Sequence, residues 1–135
     1  MAEPFGCVAL VVDTSAWVRQ RDPGVLPRWE ATLEAGLIAS CPVVALELLA
    51  GTRNEDEFAA LSSALDALPQ APVTTSACHA ALATSRDLRG SRRLPAADYL
   101  IAAAAAERGF GVLHQDRHFE TLARVLGFPS VQLIP

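Results

Sequence analysis

The chain has 135 residues, of which 51% are hydrophobic and 19% charged, and its formal net charge is −4. This composition excludes a disordered chain, and the length predicts one domain spanning residues 1–135. No apolar run approaches the roughly 20 residues of a membrane helix, and the first run lacks the basic flank of a signal peptide. We therefore expect a cytoplasmic protein without a membrane partner, and the negative charge argues against a general DNA-coating role.

Short apolar runs alternate with helix signals along the chain. Apolar runs without polar alternation are typical of strands buried on both faces. The predicted strands are 8–12, 37–41, 73–74, 110–114 and 131–134. The predicted helices are 15–19, 27–34, 43–50, 55–68, 75–89, 95–108 and 117–126. Strands that alternate with helices indicate an α/β domain with a mainly parallel sheet.

The three cysteines are odd in number and widely spaced, at Cys7, Cys41 and Cys78. Neither a disulfide framework nor a zinc site fits this spacing. We therefore predict reduced thiols that are mostly buried.

Three acidic residues are predicted to face one edge of the sheet. Asp13 and Asp116 follow predicted strands, and Asp98 lies in the first turn of a predicted helix. Ligands of open α/β sheets bind outside the carboxyl ends of the strands, which is where these side chains would meet. Each acid also has an ordinary interpretation, because N-caps and first-turn acids stabilise helices; Thr14 or Ser15 could equally cap the helix after Asp13.

Glu47 is the least ordinary acid. Its helix is apolar nearly all round, and no lysine or arginine lies three or four positions away to pair with it. A carboxylate on a mostly buried helix requires a cation from elsewhere or a cleft. The alternative is a position on a solvent-facing gap in the helix surface.

Four stretches, in order, resemble the motifs of PIN-domain nucleases, above all the VapC-type toxins of bacterial toxin–antitoxin pairs. These stretches are 12–16, 42–51, 95–103 and 113–119. The resemblance covers essentially the whole chain and implies a three-layer α/β/α sandwich around a mainly parallel sheet. It also implies an endoribonuclease that binds Mg²⁺ or Mn²⁺, forms a homodimer and is restrained by a cognate antitoxin protein.

The family's acids fall on four positions of this sequence: Asp13, Glu47, Asp98 and Asp116. We expect Asp13 and Asp98 to be the central metal ligands and Asp116 to complete the site. Glu47 would then be a further ligand or would orient the attacking water. The supporting hydroxyl of the motif falls on Thr14 or Ser15.

The sequence departs from the family pattern at two histidines. His118 stands where many relatives carry a further Asp, and His114 stands where Thr or Ser is frequent. His118 could ligate, orient a water or lie on the surface of the last helix, and we favour the surface position. A zinc pair of His114 and His118 is unconvincing, because the predicted break between strand and helix falls between them.

All eleven basic residues are arginines, and four of them lie within eight positions: Arg86, Arg89, Arg92 and Arg93. Arginine suits bidentate contacts with phosphate, so this cluster is the candidate RNA-binding surface. The alternative is a solvated helix end, where cations are favoured by the helix dipole.

Two other functions remain open at this point. The chain could be a catalytically silent PIN-like domain that only binds RNA or protein. It could also be a phosphatase with Asp13 as the nucleophile, although Ser15 stands where such enzymes commonly need a second Asp and the chain has no lysine to hold a phosphoryl group.

Overall fold

The structure, a computed structural model, describes residues 2–91 and 93–135, which form four strands and seven helices. The strands are β1 (Leu10–Val12), β2 (Ile38–Ala39), β3 (Gly111–His114) and β4 (Ser130–Gln132). The helices are α1 (Thr14–Trp17), α2 (Leu26–Glu34), α3 (Pro42–Ala50), α4 (Glu55–Asp66), α5 (Thr75–Asp87), α6 (Ala96–Glu107) and α7 (His118–Leu126).

The four strands form one parallel sheet in the order β2-β1-β3-β4. In the centre, Leu10 lies beside Gly111 and Val12 beside Leu113. The predicted α/β class with a parallel sheet is therefore confirmed. Since all strands are parallel, their carboxyl ends lie at one edge, followed by the loops into α1, α3 and α7.

Apolar side chains cover both faces of the sheet. Val11 and Val112 pack on one face with residues of α3, α6 and α7. Leu10 and Leu113 pack on the opposite face with residues of α1 and α2. This arrangement of helices on both faces matches the predicted three-layer sandwich.

Gly111 lets the two central strands and the start of β4 approach closely. An added Cβ at this position would lie 2.7 Å from Leu10 Cδ2 and 2.7 Å from the Pro129 carbonyl oxygen. A larger residue would push β3 away from its neighbours, and the acids at the ends of the strands would move with it.

One predicted strand, at 73–74, is wrong. The chain has no regular structure there, and the sheet edge is instead extended by an isolated parallel bridge between Ser40 and Gln70. Thr74 accepts a 3.0 Å hydrogen bond from the Ala77 backbone N–H and is the N-cap of α5. The helix α5 therefore begins directly after Thr74, where the strand was expected.

Surface exposure corrects two further expectations. Helix α3 is not mostly buried: only Val44 is fully buried, and Leu46 is 70% exposed. The three cysteines are free, as predicted, but only Cys41 is buried and Cys7 is exposed. None of the helices in the described parts of the chain has the length and apolar character needed to span a membrane.

Candidate active site

Asp13 is buried at the carboxyl end of β1. Its Oδ2 accepts hydrogen bonds from the Ser15 hydroxyl over 2.6 Å and from the Ser15 backbone N–H over 3.1 Å. The Ser15 hydroxyl also accepts a 3.0 Å bond from the Gln115 backbone N–H. Asp13 thus caps α1, as its ordinary interpretation predicts, and is also tied through Ser15 to the loop after β3.

Asp98 and Asp116 meet at the side chain of His118. Asp98 is buried in the first turn of α6, and its Oδ2 lies 2.8 Å from His118 Nδ1. Asp116 lies between β3 and α7, and its Oδ1 is 3.1 Å from the same nitrogen. The expectation that His118 lies on the surface of the last helix is wrong, because its ring turns inward and its side chain is only 25% exposed.

The charges of this site perturb one another. The pKa of Asp98 is raised to about 6, mainly because burial disfavours its charged form. The hydrogen bond with His118 opposes this rise, and the negative charges of Asp13 and Asp116 add to it. Asp98 and Asp116 thus lie together at His118, and Asp13 acts on Asp98 through its charge.

Glu47 is an exposed residue on α3, in agreement with the solvent-facing alternative. Partial burial raises the pKa of its carboxyl, and the charge of Asp13 raises it further, so Glu47 borders the same site. The Thr14 hydroxyl lowers this pKa, although the two side chains do not meet the geometry of a hydrogen bond. Thr14 Oγ1 is buried and has no hydrogen-bond partner among the described residues.

His114 supports the site from inside the core. Its ring is fully buried, and burial lowers its pKa, so the imidazole is held neutral. Nδ1 accepts a 3.1 Å bond from the Asp116 backbone N–H, and Nε2 lies 2.7 Å from Ser130 Oγ. Because Nδ1 accepts, Nε2 carries the proton and donates it to Ser130. His114 thereby connects the Asp116 loop to β4.

Gln115 adds a second connection, which the sequence alone did not predict. Its side-chain amide donates to the Ile134 carbonyl over 3.1 Å and accepts from the Ile134 N–H over 2.8 Å. In the sequence, only the position of Gln115 directly after a buried strand indicates a structural role for this residue. No sequence signal marks Ser130 as the partner of His114, because that pairing depends on the register of β3 with β4.

Two arginines of the predicted cluster lie near the first turn of α6. Arg86, Arg89 and Arg93 are exposed, whereas Arg92 lies outside the described residues. Arg89 and Arg93 line a groove of about 470 Å³ whose wall includes Tyr99, the neighbour of Asp98. Arg89 and Arg93 therefore lie beside the first turn of α6, and their contact with RNA stays a prediction.

The donor set fits a hard divalent cation. One donor atom each from Asp98, Asp116 and His118 lies within 4.8 Å of the others, and the charge of Asp13 acts on the same group. Within residues 2–91 and 93–135, no arginine forms an ion pair with any of these carboxylates. Carboxylate oxygens are the ligands that Mg²⁺ and Mn²⁺ prefer, and a cation would offset the repulsion among them.

Comparison with known proteins identifies the fold and the family. A family model described as the PIN domain matches residues 10–125. The structure of a VapBC-family member, VapBC-5 from Mycobacterium tuberculosis, has a TM-score of 0.63 and 26% identity and covers 93% of this chain and 99% of that one. DNA-bound VapBC from Salmonella typhimurium has a TM-score of 0.72 over 94% of this chain, and at 18% identity this likeness concerns the fold alone.

Two curated relatives come from Mycobacterium tuberculosis strain H37Rv. Ribonuclease VapC18 is 35% identical over 92% of this chain and 94% of the relative. Ribonuclease VapC51 is 37% identical over 93% of each. The chain therefore belongs to the PIN-domain family and, within it, to the VapC ribonucleases. The predicted resemblance is confirmed.

Proposed function

We propose that this protein is a metal-dependent endoribonuclease in which Asp13, Asp98 and Asp116 hold Mg²⁺ or Mn²⁺ and Glu47 completes the site. The observation that carries the proposal is the convergence of Asp98, Asp116 and His118, whose donor atoms lie within 4.8 Å of one another. Asp13 and Asp116 both raise the pKa of Asp98, and Asp13 raises that of Glu47. Carboxylates kept this close without an arginine partner destabilise the fold unless a cation joins them.

The protein residues would do three things in this reaction. The buried Asp13 and Asp98 would supply ligand oxygens: Ser15 holds the side chain of Asp13, and in the metal-free protein His118 holds that of Asp98. Glu47, exposed and with a raised pKa, is suited to accept a proton from the attacking water. A bound divalent ion would supply charge neutralisation at the scissile phosphate and a more acidic water.

RNA would approach along the groove beside α6. Arg89 and Arg93 line it, and Arg86 lies in the last turn of α5, so phosphates that they bind would lie beside the first turn of α6. Arg92 belongs to the same proposal on sequence grounds. A cluster this short suits a single-stranded or looped segment better than a long duplex.

The protein would act as the toxin of a toxin–antitoxin pair and form a homodimer. Its structural relatives include VapBC toxin–antitoxin complexes. Large apolar side chains are exposed at Val18, Leu46 and Leu82, which gives partner chains apolar surface to cover. Co-expression with the product of the neighbouring reading frame, followed by light scattering of the purified complex, tests both partners.

RNA cleavage by purified protein tests the activity. We expect cleavage in Mg²⁺ or Mn²⁺, loss of cleavage in EDTA, and loss in Asp98→Asn. Asp66→Asn changes an exposed acid at the end of α4 and is the matched control that keeps activity. Cleavage by wild type that persists in EDTA, with contaminating nuclease excluded, would contradict the metal mechanism.

A catalytically silent binding domain is the alternative. In that case, divalent ions would not change the melting temperature. For the proposed site, a free ion at 100 times its Kd adds about 2.7 kcal/mol to the unfolding free energy. We expect this shift in wild type and a much smaller one in Asp98→Asn.

A further inference from the structure

The ring of His118 lies among the acids in a position that is unusual for a site built from carboxylates. Its backbone N–H donates to Asp116 Oδ1 over 3.0 Å, which fixes the start of α7. The same turn places ring Nδ1 2.8 Å from Asp98 Oδ2 and 3.1 Å from Asp116 Oδ1. The nitrogen is therefore aimed between two of the carboxylates assigned to the metal.

These separations match those of ligands around one ion. Two donor atoms at neighbouring corners of an octahedron lie about 3 Å apart when each is about 2.1 Å from the centre. Both distances from Nδ1 are close to this value, and all three donor atoms lie within 4.8 Å of one another. Small movements of the side chains would therefore admit an ion between them.

We propose that His118 is itself a metal ligand through Nδ1, and that its nitrogen shifts the preference of the site from Mg²⁺ towards Mn²⁺. This inference rests on the proposed function, since it concerns the same site. In the metal-free site, Nδ1 donates a hydrogen bond to an ionised Asp98. When the ion binds, the Nδ1 proton passes to water, and the ring that ligates the ion is the neutral form with its proton on Nε2. The ion thus takes the place of the proton that now joins His118 to Asp98.

The chemistry of the ligands gives the direction of the preference. Carboxylates and water suit Mg²⁺ and Mn²⁺ alike, whereas imidazole favours first-row transition metals. Mg²⁺ also gives up its water reluctantly. Replacing an oxygen by the His118 nitrogen therefore costs Mg²⁺ more affinity than Mn²⁺.

The direct test detects the nitrogen without measuring activity. Protein without a histidine tag is loaded with Mn²⁺, and electron spin echo envelope modulation is recorded. We expect the modulation of a coordinated nitrogen in wild type and its loss in His118→Asp. His79→Asp makes the same change at an exposed position on α5 and should keep the signal.

Calorimetric titration with Mg²⁺ and Mn²⁺ tests the preference. The preference is the dissociation constant for Mg²⁺ divided by that for Mn²⁺. We expect this ratio to fall by about tenfold in His118→Asp and to stay unchanged in His79→Asp. An equal ratio in wild type and His118→Asp overturns the inference, as does bound Mn²⁺ in wild type without nitrogen modulation. The wild-type spectrum keeps the test valid if His118→Asp does not fold.

The two proposals fail in different ways. If wild type cleaves RNA with Mg²⁺ or Mn²⁺ but shows no coordinated nitrogen, only the role of His118 is wrong. If wild type binds no divalent ion, both proposals are wrong.

Discussion

The hydroxyl of Ser15 accepts a 3.0 Å hydrogen bond from the backbone N–H of Gln115, 100 positions later in the chain. The same hydroxyl donates to Asp13, so one side chain connects the ends of β1 and β3. We predict that Ser15→Ala lowers the unfolding free energy by about 1–3 kcal/mol, because it leaves the Gln115 N–H unpaired.

Thr14→Val is the matched control for this prediction. Thr14 Oγ1 is buried and unpaired among the described residues, and valine has nearly the same shape. Its stability should equal or exceed that of wild type. Urea unfolding of both variants measures the difference, and an equal loss in the two would show that the Ser15 bridge contributes nothing.

Asp98 makes the stability of the metal-free protein depend on pH. Its folded pKa of about 6 lies above the ordinary value of 3.8, so folding favours the protonated form. The resulting stability is complete below pH 3.8 and is lost as the pH rises through about 6, a change of about 3 kcal/mol.

Asp98→Asn removes this titration. In metal-free buffer, the variant should gain stability relative to wild type as the pH rises from 4 to 7. In buffer with Mg²⁺ or Mn²⁺, the same variant should have lost RNA cleavage. Denaturant unfolding at a series of pH values measures the difference. If the difference in unfolding free energy between Asp98→Asn and wild type stays constant from pH 4 to 7, folding does not raise the pKa of Asp98.

His114 has the opposite pH dependence. Burial lowers its folded pKa below 6.5, so its contribution to stability is present above pH 6.5 and is lost as the pH falls. At pH 7, His114→Ala should cost about 2–4 kcal/mol, since it leaves a cavity against Phe119 and two unpaired polar groups. The difference in unfolding free energy between His114→Ala and wild type should become smaller below pH 6.5. The control His79→Ala changes an exposed histidine and should have little effect on the unfolding free energy at any pH.

The arginine groove can be tested by the salt dependence of RNA binding. Arg89→Ala with Arg93→Ala should weaken binding and reduce the slope of log K against log salt by about 0.7 for each phosphate that is no longer neutralised. The control pair is Arg108→Ala with Arg124→Ala. Both control residues are exposed and lie at the ends of α6 and α7 away from the acids. Equal slopes in the two double variants would place the RNA elsewhere.

The sequence predicts the positions of the acids better than their surroundings. Asp13, Asp98 and Asp116 are found because each follows a strand or starts a helix, and parallel strands bring those points to one edge. The expectation that Glu47 lies on a mostly buried helix is wrong. The apolar composition of α3 suggests a buried helix, whereas much of α3 is exposed. In the structure, α3 buries Val44 in the core and leaves Leu46 and Glu47 exposed.

The position of the His118 ring depends on the turn between β3 and α7, which the hydrophobic periodicity of the sequence does not predict. The Asp116 carboxylate accepts the His118 backbone N–H at the start of α7, and the ring of His118 lies against Asp98 and Asp116 in the same turn. Likewise, the pairing of His114 with Ser130 requires the register of β3 with β4, which short strands alone do not specify.

The order of the strands in the sheet has a consequence for the synthesis of this protein. β1 pairs with β3, and the Asp13 backbone N–H donates to the Leu113 carbonyl, so the site is complete only when the C-terminal part of the chain is present. During translation, Asp13 and Glu47 leave the ribosome long before Asp116 exists. Pairing between such distant segments is also slow to form. The acids at the ends of β1 and β3 therefore come together only in a nearly complete chain, so an activity that depends on both arises at the end of synthesis.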